Sequence, residues 1–245
     1  MLRTLSHRPW PLPPTPWVMA MQWDQLLFMH WPVAAHHLRR LIPPALQLDT
    51  RDGAAWVGVV PFTMRGVRAR LSPALPGMRS FPELNVRTYV THGGKPGVWF
   101  FSLDAANPLA VEGARSVFHL NYYNARMSAR QEGDTVIYRS ARTHRGAPPA
   151  AFAGRYRPAG AGYRAEAGSF DAWLTERYCL YAGDQRGRIW RGDIHHAPWT
   201  LHPAEAEIAV NTMTAQIGLD LAGRRPLLHY ASPLPVVAWA PTRVV

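Results

Sequence analysis

Between residues 83 and 104 the chain carries two runs of alternating apolar and polar residues joined by Gly93-Gly94-Lys95-Pro96-Gly97. This pattern admits a β-hairpin and little else, because the glycines supply the backbone freedom of a tight reversal and both flanks alternate with period two. The same punctuation recurs: Arg51-Asp52-Gly53 separates residues 46–50 from 54–64, and Glu132-Gly133-Asp134 separates 121–130 from 135–143. Hairpins join antiparallel neighbours, so the chain reads as a mostly β, antiparallel barrel or sandwich with a few short helices. Further strands are expected at 23–31, 178–182, 187–195, 207–213, 227–231 and 235–240. Pro32 opens a helix over 33–41, Asn107 or Asp104 caps one reaching Phe118, and Ser169 caps one reaching Arg177. The stretch 66–82 holds three prolines and reads as a loop, and 146–168, rich in Ala, Gly and Pro, is assigned no strand. Pro9, Pro11, Pro13, Pro14 and Pro16 exclude a helix at the start. Residues 1–17 are therefore an extended arm, packed on the body through Trp10 and Trp17, and residues 18–245 a single domain.

Composition narrows the function classes. Apolar residues make up 47% and charged ones 18% of the 245, which excludes a disordered chain and supplies one sizeable core. The formal charge is +11, yet the arginines never run longer than two, as solvated surface does, so nucleic acid is not the expected partner. No apolar run approaches the ~18 residues of a membrane span. The single cysteine, Cys179, forms no intramolecular disulfide and sits in an apolar stretch as an inert thiol, which leaves the cytoplasm as the default location. Of the 11 histidines, His195-His196 point to opposite faces of a strand and His36-His37 diverge on a helix, so no metal site is expected. No glycine-rich phosphate loop or nucleophile elbow is present, and no cofactor is implied.

The strand from residue 83 places Glu83, Asn85, Arg87 and Tyr89 on one face and Leu84, Val86, Thr88 and Val90 on the other. Its partner offers Trp99, Phe101 and Leu103 on one face and Phe100, Ser102 and Asp104 on the other. Glu, Asn and Arg at alternate positions describe either a solvated outer face or the inward polar stripe of a closed barrel lining a ligand cavity. The one lysine, Lys95, lies in the Gly/Pro turn, where an amine stays charged. Imine chemistry, which needs a neutral amine, is not expected of it.

The stretches WDQLLFMHWPV (23–33), AAWVGVVPF (54–62), FPELNVRTYVTHGGKPGVWFFSLDA (81–105), LTERYCLY (174–181) and IHHAPWTL (194–201) resemble the YqjF-like family of uncharacterised conserved proteins. That family is in turn remotely similar to the acetoacetate decarboxylase-like superfamily. The resemblance implies a cone-like β-barrel with an enclosed cavity and small flanking helices, and it implies self-association. In AVEGARSVFHLNYYNAR (110–126), Arg115 would keep a helix arginine of the decarboxylases, while Tyr122-Tyr123 would stand where their two lysines do. Tyr122 would be the inward one. Glu83 would match a cavity glutamate, whereas a second cavity glutamate falls near Gly58 and a cavity arginine near Trp23, so both are replaced.

The expected function is an interior cavity for a small keto or hydroxy acid, with Glu83 and Tyr122 as candidate catalytic groups and Arg87, Asn85, Arg115 and Ser102 as ligand contacts. A carboxylate would sit on arginine, a tyrosine would donate to a carbonyl oxygen, and glutamate would move a proton. Two outcomes stay open: a lyase-, hydratase- or isomerase-like step without a lysine imine, or a sensor or carrier that binds without turnover. An arginine-driven nucleic-acid or acidic-partner binder is the remaining alternative.

Overall fold

A computed structural model describes residues 4–74, 77–184 and 186–245. In chain order the first half comprises β1 (Met19–Asp24), β2 (Leu26–Val33), α1 (Ala35–Arg39), β3 (Gln47–Leu48), β4 (Ala55–Ala69), β5 (Ser80–His92), β6 (Lys95–Ala105) and α2 (Pro108–Phe118). The second half comprises β7 (Tyr122–Glu132), β8 (Thr135–Arg142), β9 (Ala151–Pro158), α3 (Phe170–Thr175), β10 (Cys179–Gly183), β11 (Ile189–His195), β12 (Leu201–Asn211), β13 (Leu227–Ala231), β14 (Leu234–Ala238) and β15 (Thr242–Arg243). The fold is mostly β with few helices.

The strands close on themselves twice, and both closures share the wall β4–β5–β6. The first ring runs β1, β4, β5, β6, β10, β11, β14 and back to β1. The second leaves the wall from β6 through β7, β8, β9, β12, β13 and β2 and returns to β4. Period-two alternation lets one wall serve both interiors. On β4, Val57 and Val59 enter the second core, while Val60, Phe62 and Met64 enter the first. On β5, Leu84 and Val86 face the second core. That core is filled by large side chains, among them Trp31, Tyr138, Phe152 and Tyr156, all buried.

The β5–β6 hairpin forms with a tighter turn than the sequence suggests. His92 pairs with Lys95, and only Gly93 (φ 56°) and Gly94 (φ 72°) lie between, as a two-residue turn with positive φ at both positions requires. Asn107 caps α2 by accepting from the Leu109 and Ala110 amides at 3.0 and 3.1 Å, and Ser169 caps α3 through the Ala172 amide at 3.2 Å. The arm packs on the body: Trp10 Nε1 donates to Asp193 at 3.1 Å, Arg8 Nη1 to the Ile194 carbonyl at 2.6 Å, and Trp239 Nε1 to the Thr15 carbonyl at 2.7 Å.

Several local expectations are corrected. The expected strand 23–31 is two strands, broken at Gln25, whose left-handed backbone (φ 52°) redirects the chain. β1 then pairs with the 63–69 half of β4, and β2 with the 55–59 half. The first helix is only Ala35–Arg39, because Pro32 and Val33 stay in β2, opposite Trp56 and Ala55. The turn at residues 51–54 forms with reciprocal backbone bonds, but the short β3 pairs with β5 instead of β4. The 66–82 loop shrinks, since β4 runs to Ala69 and β5 starts at Ser80; its Leu75 and Pro76 lie outside the described residues. β9 occupies part of the Ala/Gly/Pro-rich stretch, inserted between β8 and β12. The wall is not purely antiparallel, because β6 pairs parallel with both β7 and β10.

Candidate functional site

The first ring encloses a cavity of about 320 Å3, walled by β1, β2, β4, β5, β6, β10 and β11 and covered on one side by α2. Its polar stripe comes from β5, where Glu83, Asn85 and Arg87 alternate with the apolar residues claimed by the second core. Strand register sets their depth. Phe81 stands opposite Met64, Glu83 opposite Phe62, Asn85 opposite Val60 and Arg87 opposite Gly58. A Cβ at residue 58 would sit 3.3 Å from both Arg87 Cγ and His30 Cδ2, so glycine there leaves room for the arginine stem across β4.

Tyr122, the first residue of β7, reaches across the wall and donates from its hydroxyl to Glu83 Oε1 at 3.0 Å. Both groups are buried, Glu83 being 2% exposed. Burial pushes the Glu83 carboxyl up to about 8, with the Tyr122 hydrogen bond opposing and the charge of Asp104 adding. At neutral pH Glu83 therefore keeps its proton, and it does not neutralise an arginine. Burial, then the negative charge developing on Glu83, drives the Tyr122 phenol well above its ordinary range. In this structure the Tyr122 proton is directed at Glu83.

Arg87 donates from Nη2 to the Leu174 carbonyl at 3.2 Å and to Tyr89 Oη at 3.4 Å, and its guanidinium carbon lies 5.0 Å from the Phe28 ring centroid. Its Nε is buried without a partner among the described residues. No described carboxylate pairs with it, whereas Asp104 holds Arg142 at 2.6 Å and Asp49 holds Arg177 at 2.7 Å. Three further cavity-lining groups carry an unmatched buried polar atom: Trp23 Nε1, Asn85 Oδ1 and Arg177 Nη2. His196, also on the lining, is pushed down to about 4 by burial, with hydrogen bonds to backbone carbonyls opposing, so its imidazole is neutral. Beside Arg87, the Tyr89 hydroxyl hydrogen-bonds with the Leu174 carbonyl at 2.8 Å and with His30 Nε2 at 2.6 Å.

The structure thus brings Glu83, Tyr122, Asn85 and Arg87 to one interior, but not Ser102 or Arg115. A β-bulge at Val86/Arg87 sets Ser102 against Val86 and Phe100 against Arg87, so Phe100 and Leu103 line the cavity and Ser102 does not. Arg115 lies on α2, donates to the Tyr122 carbonyl at 2.8 Å, and lines a separate open depression with His119, Arg186 and Arg188. Tyr123, the alternative to Tyr122, points away and lies 4.2 Å under the Arg142 guanidinium. Lys95 is also off the lining; its amine lies 5.6 Å from the Trp10 ring centroid. Trp23, which stands on β1 where the resemblance puts a cavity arginine, lines the cavity; sequence reasoning missed Arg177 and His196, which reach it from just after α3 and just after β11, and only their place in the long family stretches marked them. Among the described residues no group of three or more His, Cys, Asp or Glu is gathered to hold a metal ion, and no helix is long and apolar enough to cross a membrane.

The sequence profile of the DUF2071 family, described as an uncharacterized conserved protein, matches residues 20–235. An uncharacterized protein, YqjF, of Bacillus subtilis (strain 168) is 50% identical over 223 residues, 91% of each chain. Among solved structures, the enduracididine biosynthesis enzyme MppR, complexed with the condensation product of pyruvate and imidazole 4-carboxaldehyde, superposes with a TM-score of 0.64 at 11% identity, covering 94% of this chain and 90% of its own. An acetoacetate decarboxylase-like enzyme from Sphingomonas wittichii RW1 gives a TM-score of 0.62 at 12% identity, covering 96% of this chain and 98% of its own. At such identities the likeness is one of fold.

Proposed function

The chain belongs to the DUF2071 family of uncharacterised conserved proteins, and from that premise we propose that it binds a small oxo or hydroxy acid in the first ring and moves a proton on it without a lysine imine. The observation that carries this reading is the pairing, on one strand, of an arginine lacking a counter-ion with a carboxyl that holds its proton. A half-buried cation without a counter-ion is costly, and a ligand carboxylate is the group that relieves it. Four residues along the same strand, the neutral Glu83, its carboxyl oriented by Tyr122, has an O–H to offer a carbonyl oxygen while solvent water takes the proton from the neighbouring carbon. Asn85 and Trp23 add unmatched polar atoms facing the same space. The imine route of the decarboxylases lacks its nucleophile, because the only lysine lies off the cavity. The seven-strand ring acts as the barrel of that architecture, and the MppR neighbour, solved with a pyruvate-derived compound, supports a 2-oxo acid as the ligand type.

The test is hydrogen–deuterium exchange at the carbon beside the carbonyl of 2-oxobutanoate in D2O, followed by proton NMR. Protein-accelerated exchange that Glu83→Gln abolishes, with affinity little changed, is the expected result. Binding that needs Arg87 but brings no exchange in either protein would show a carrier or sensor and refute the proton transfer. No Arg87-dependent binding of any oxo acid would refute the reading as a whole.

A further inference from the structure

The polar groups occupy only one part of the cavity. Going along β5 from Arg87 to Phe81 rises about 20 Å at ~3.3 Å per residue, and the levels change character on the way. Arg87 and Asn85 each carry an unmatched polar atom, and Glu83 adds its carboxyl. Past Glu83, the lining at the Phe81 level and beyond is apolar apart from the Trp23 indole N–H: Met64 and Val67 of β4, Met19 and Met21 of β1, and Met78. Methionines supply a flexible, polarisable wall that adapts to chains of different shape.

The far side of this apolar part is helix α2. Leu109, Gly113 and Val117 are spaced four apart on one face and all line the cavity, yet Leu109 is 70% and Val117 58% exposed. Residues that both line an interior and meet solvent mark its mouth. A Cβ on residue 113 would meet nothing within 4 Å, so the mouth is open between them. Two large exposed apolar side chains flanking an opening are otherwise unexplained.

We infer that the ligand is an amphiphile: an oxo acid whose head lies at Arg87 and Glu83 and whose straight hydrocarbon chain runs past Phe81 and out under α2. This rests on the head-group reading above and specifies the substrate class. At the ~30 Å3 that a water molecule takes in the liquid, a cavity of about 320 Å3 has room for roughly ten non-hydrogen atoms. An eight-carbon 2-oxo acid, with about eleven such atoms, matches that volume and, extended to about 10 Å, covers half of the rise from Arg87 to Phe81, so longer chains are the ones that reach the mouth; a four-carbon acid leaves the apolar part unused.

The test titrates the intact protein with 2-oxobutanoate, 2-oxohexanoate, 2-oxooctanoate and 2-oxododecanoate, read by calorimetry and by the fluorescence of Trp23 and Trp199 on the cavity wall. Affinity should rise about fourfold per methylene, roughly 250-fold from four to eight carbons, then level off once the chain reaches the mouth and emerges into water. Leu109→Asp, which suits the first turn of a helix, should weaken the eight- and twelve-carbon acids about tenfold or more and leave 2-oxobutanoate unchanged. Equal, Arg87-dependent affinities for four and eight carbons would overturn the amphiphile while sparing the head-group reading. A chain-length effect that persists undiminished in Arg87→Met would overturn the placement of the head. No binding of any acid in the series would overturn both.

Discussion

Glu83→Gln isolates the protonation state on which the site depends. Glutamine is isosteric with a protonated glutamate and can still accept from Tyr122, so the substitution removes the ionisable proton and little else. In the unfolded chain the Glu83 carboxyl titrates near 4.5, and in the folded protein burial carries it up to about 8. Between those values the folded state binds the extra proton, so wild-type stability falls as pH rises through this window; below 4.5 the group costs nothing, and above 8 the loss is complete. At ~1.4 kcal/mol per pH unit the loss accumulates to roughly 4–5 kcal/mol, a large share of the 5–15 kcal/mol that typical folds have in total. The variant lacks this dependence. Urea unfolding at pH 4.5, 6, 7.5 and 9 should show the two proteins matched at the acid end, with the variant ahead by several kcal/mol at pH 9. Subtraction cancels the other raised carboxyls, Asp104 and Glu176. A difference that stays constant across the series would mean that Glu83 is ionised at neutral pH, and the neutral-donor argument would fall with it.

Arg87→Met removes a cation without a counter-ion and should stabilise the empty protein by about 1–3 kcal/mol in urea unfolding while weakening 2-oxo acids at least a hundredfold. Tyr122→Phe takes away the hydrogen bond that holds Glu83 down, so the wild-type loss of stability should extend to higher pH, visible in the same unfolding series. Affinity for an anionic oxo acid should fall above pH 8, by up to tenfold per unit, because a second negative charge on Glu83 opposes the ligand; calorimetry in two buffers of different ionisation enthalpy would register the proton taken up. Asp104→Asn strips Arg142 of its buried partner, which holds it through Nε and Nη2 at 2.8 and 2.6 Å, and should cost about 3–5 kcal/mol of stability.

What the sequence made legible was local. The hairpins at 93–94 and 133–134 and the caps at Asn107 and Ser169 are decided by a few adjacent residues, and the structure contains them. The break at Gln25 was not legible, since a non-glycine residue adopts φ 52° there only because its side chain is tied to Thr63 at 2.7 Å and Gln131 at 3.0 Å, contacts made across the fold. β9 was hidden because its Ala-Phe-Ala-Gly run carries little strand signal, and it is held by pairing with β8 and β12. The inward face of β5 could be read from alternation alone. Ser102 could not, because the bulge at Val86/Arg87 shifts β6 by one residue. Arg115 was placed by analogy with a helix arginine, and the helix does hold it, but at the Tyr122 carbonyl outside the cavity.

The two interiors that share β4–β5–β6 differ in which polar groups they leave unmatched, and that difference supports the proposed ligand. In the second ring Tyr138 donates to the Glu83 carbonyl at 2.7 Å, Tyr156 to the Gln25 carbonyl at 2.7 Å, and Trp31 Nε1 to the Arg224 carbonyl at 2.9 Å, while the smaller Ser102 and Ser140 hydroxyls are unmatched. Across the same strands, Trp23, Asn85, Arg87 and Arg177 leave one polar atom each unmatched, all on the lining of one cavity, and the carboxyl between them is kept neutral. Gathered on the lining of one cavity, with a net positive charge, these atoms are mostly donors, for which an anionic oxygen compound supplies acceptors.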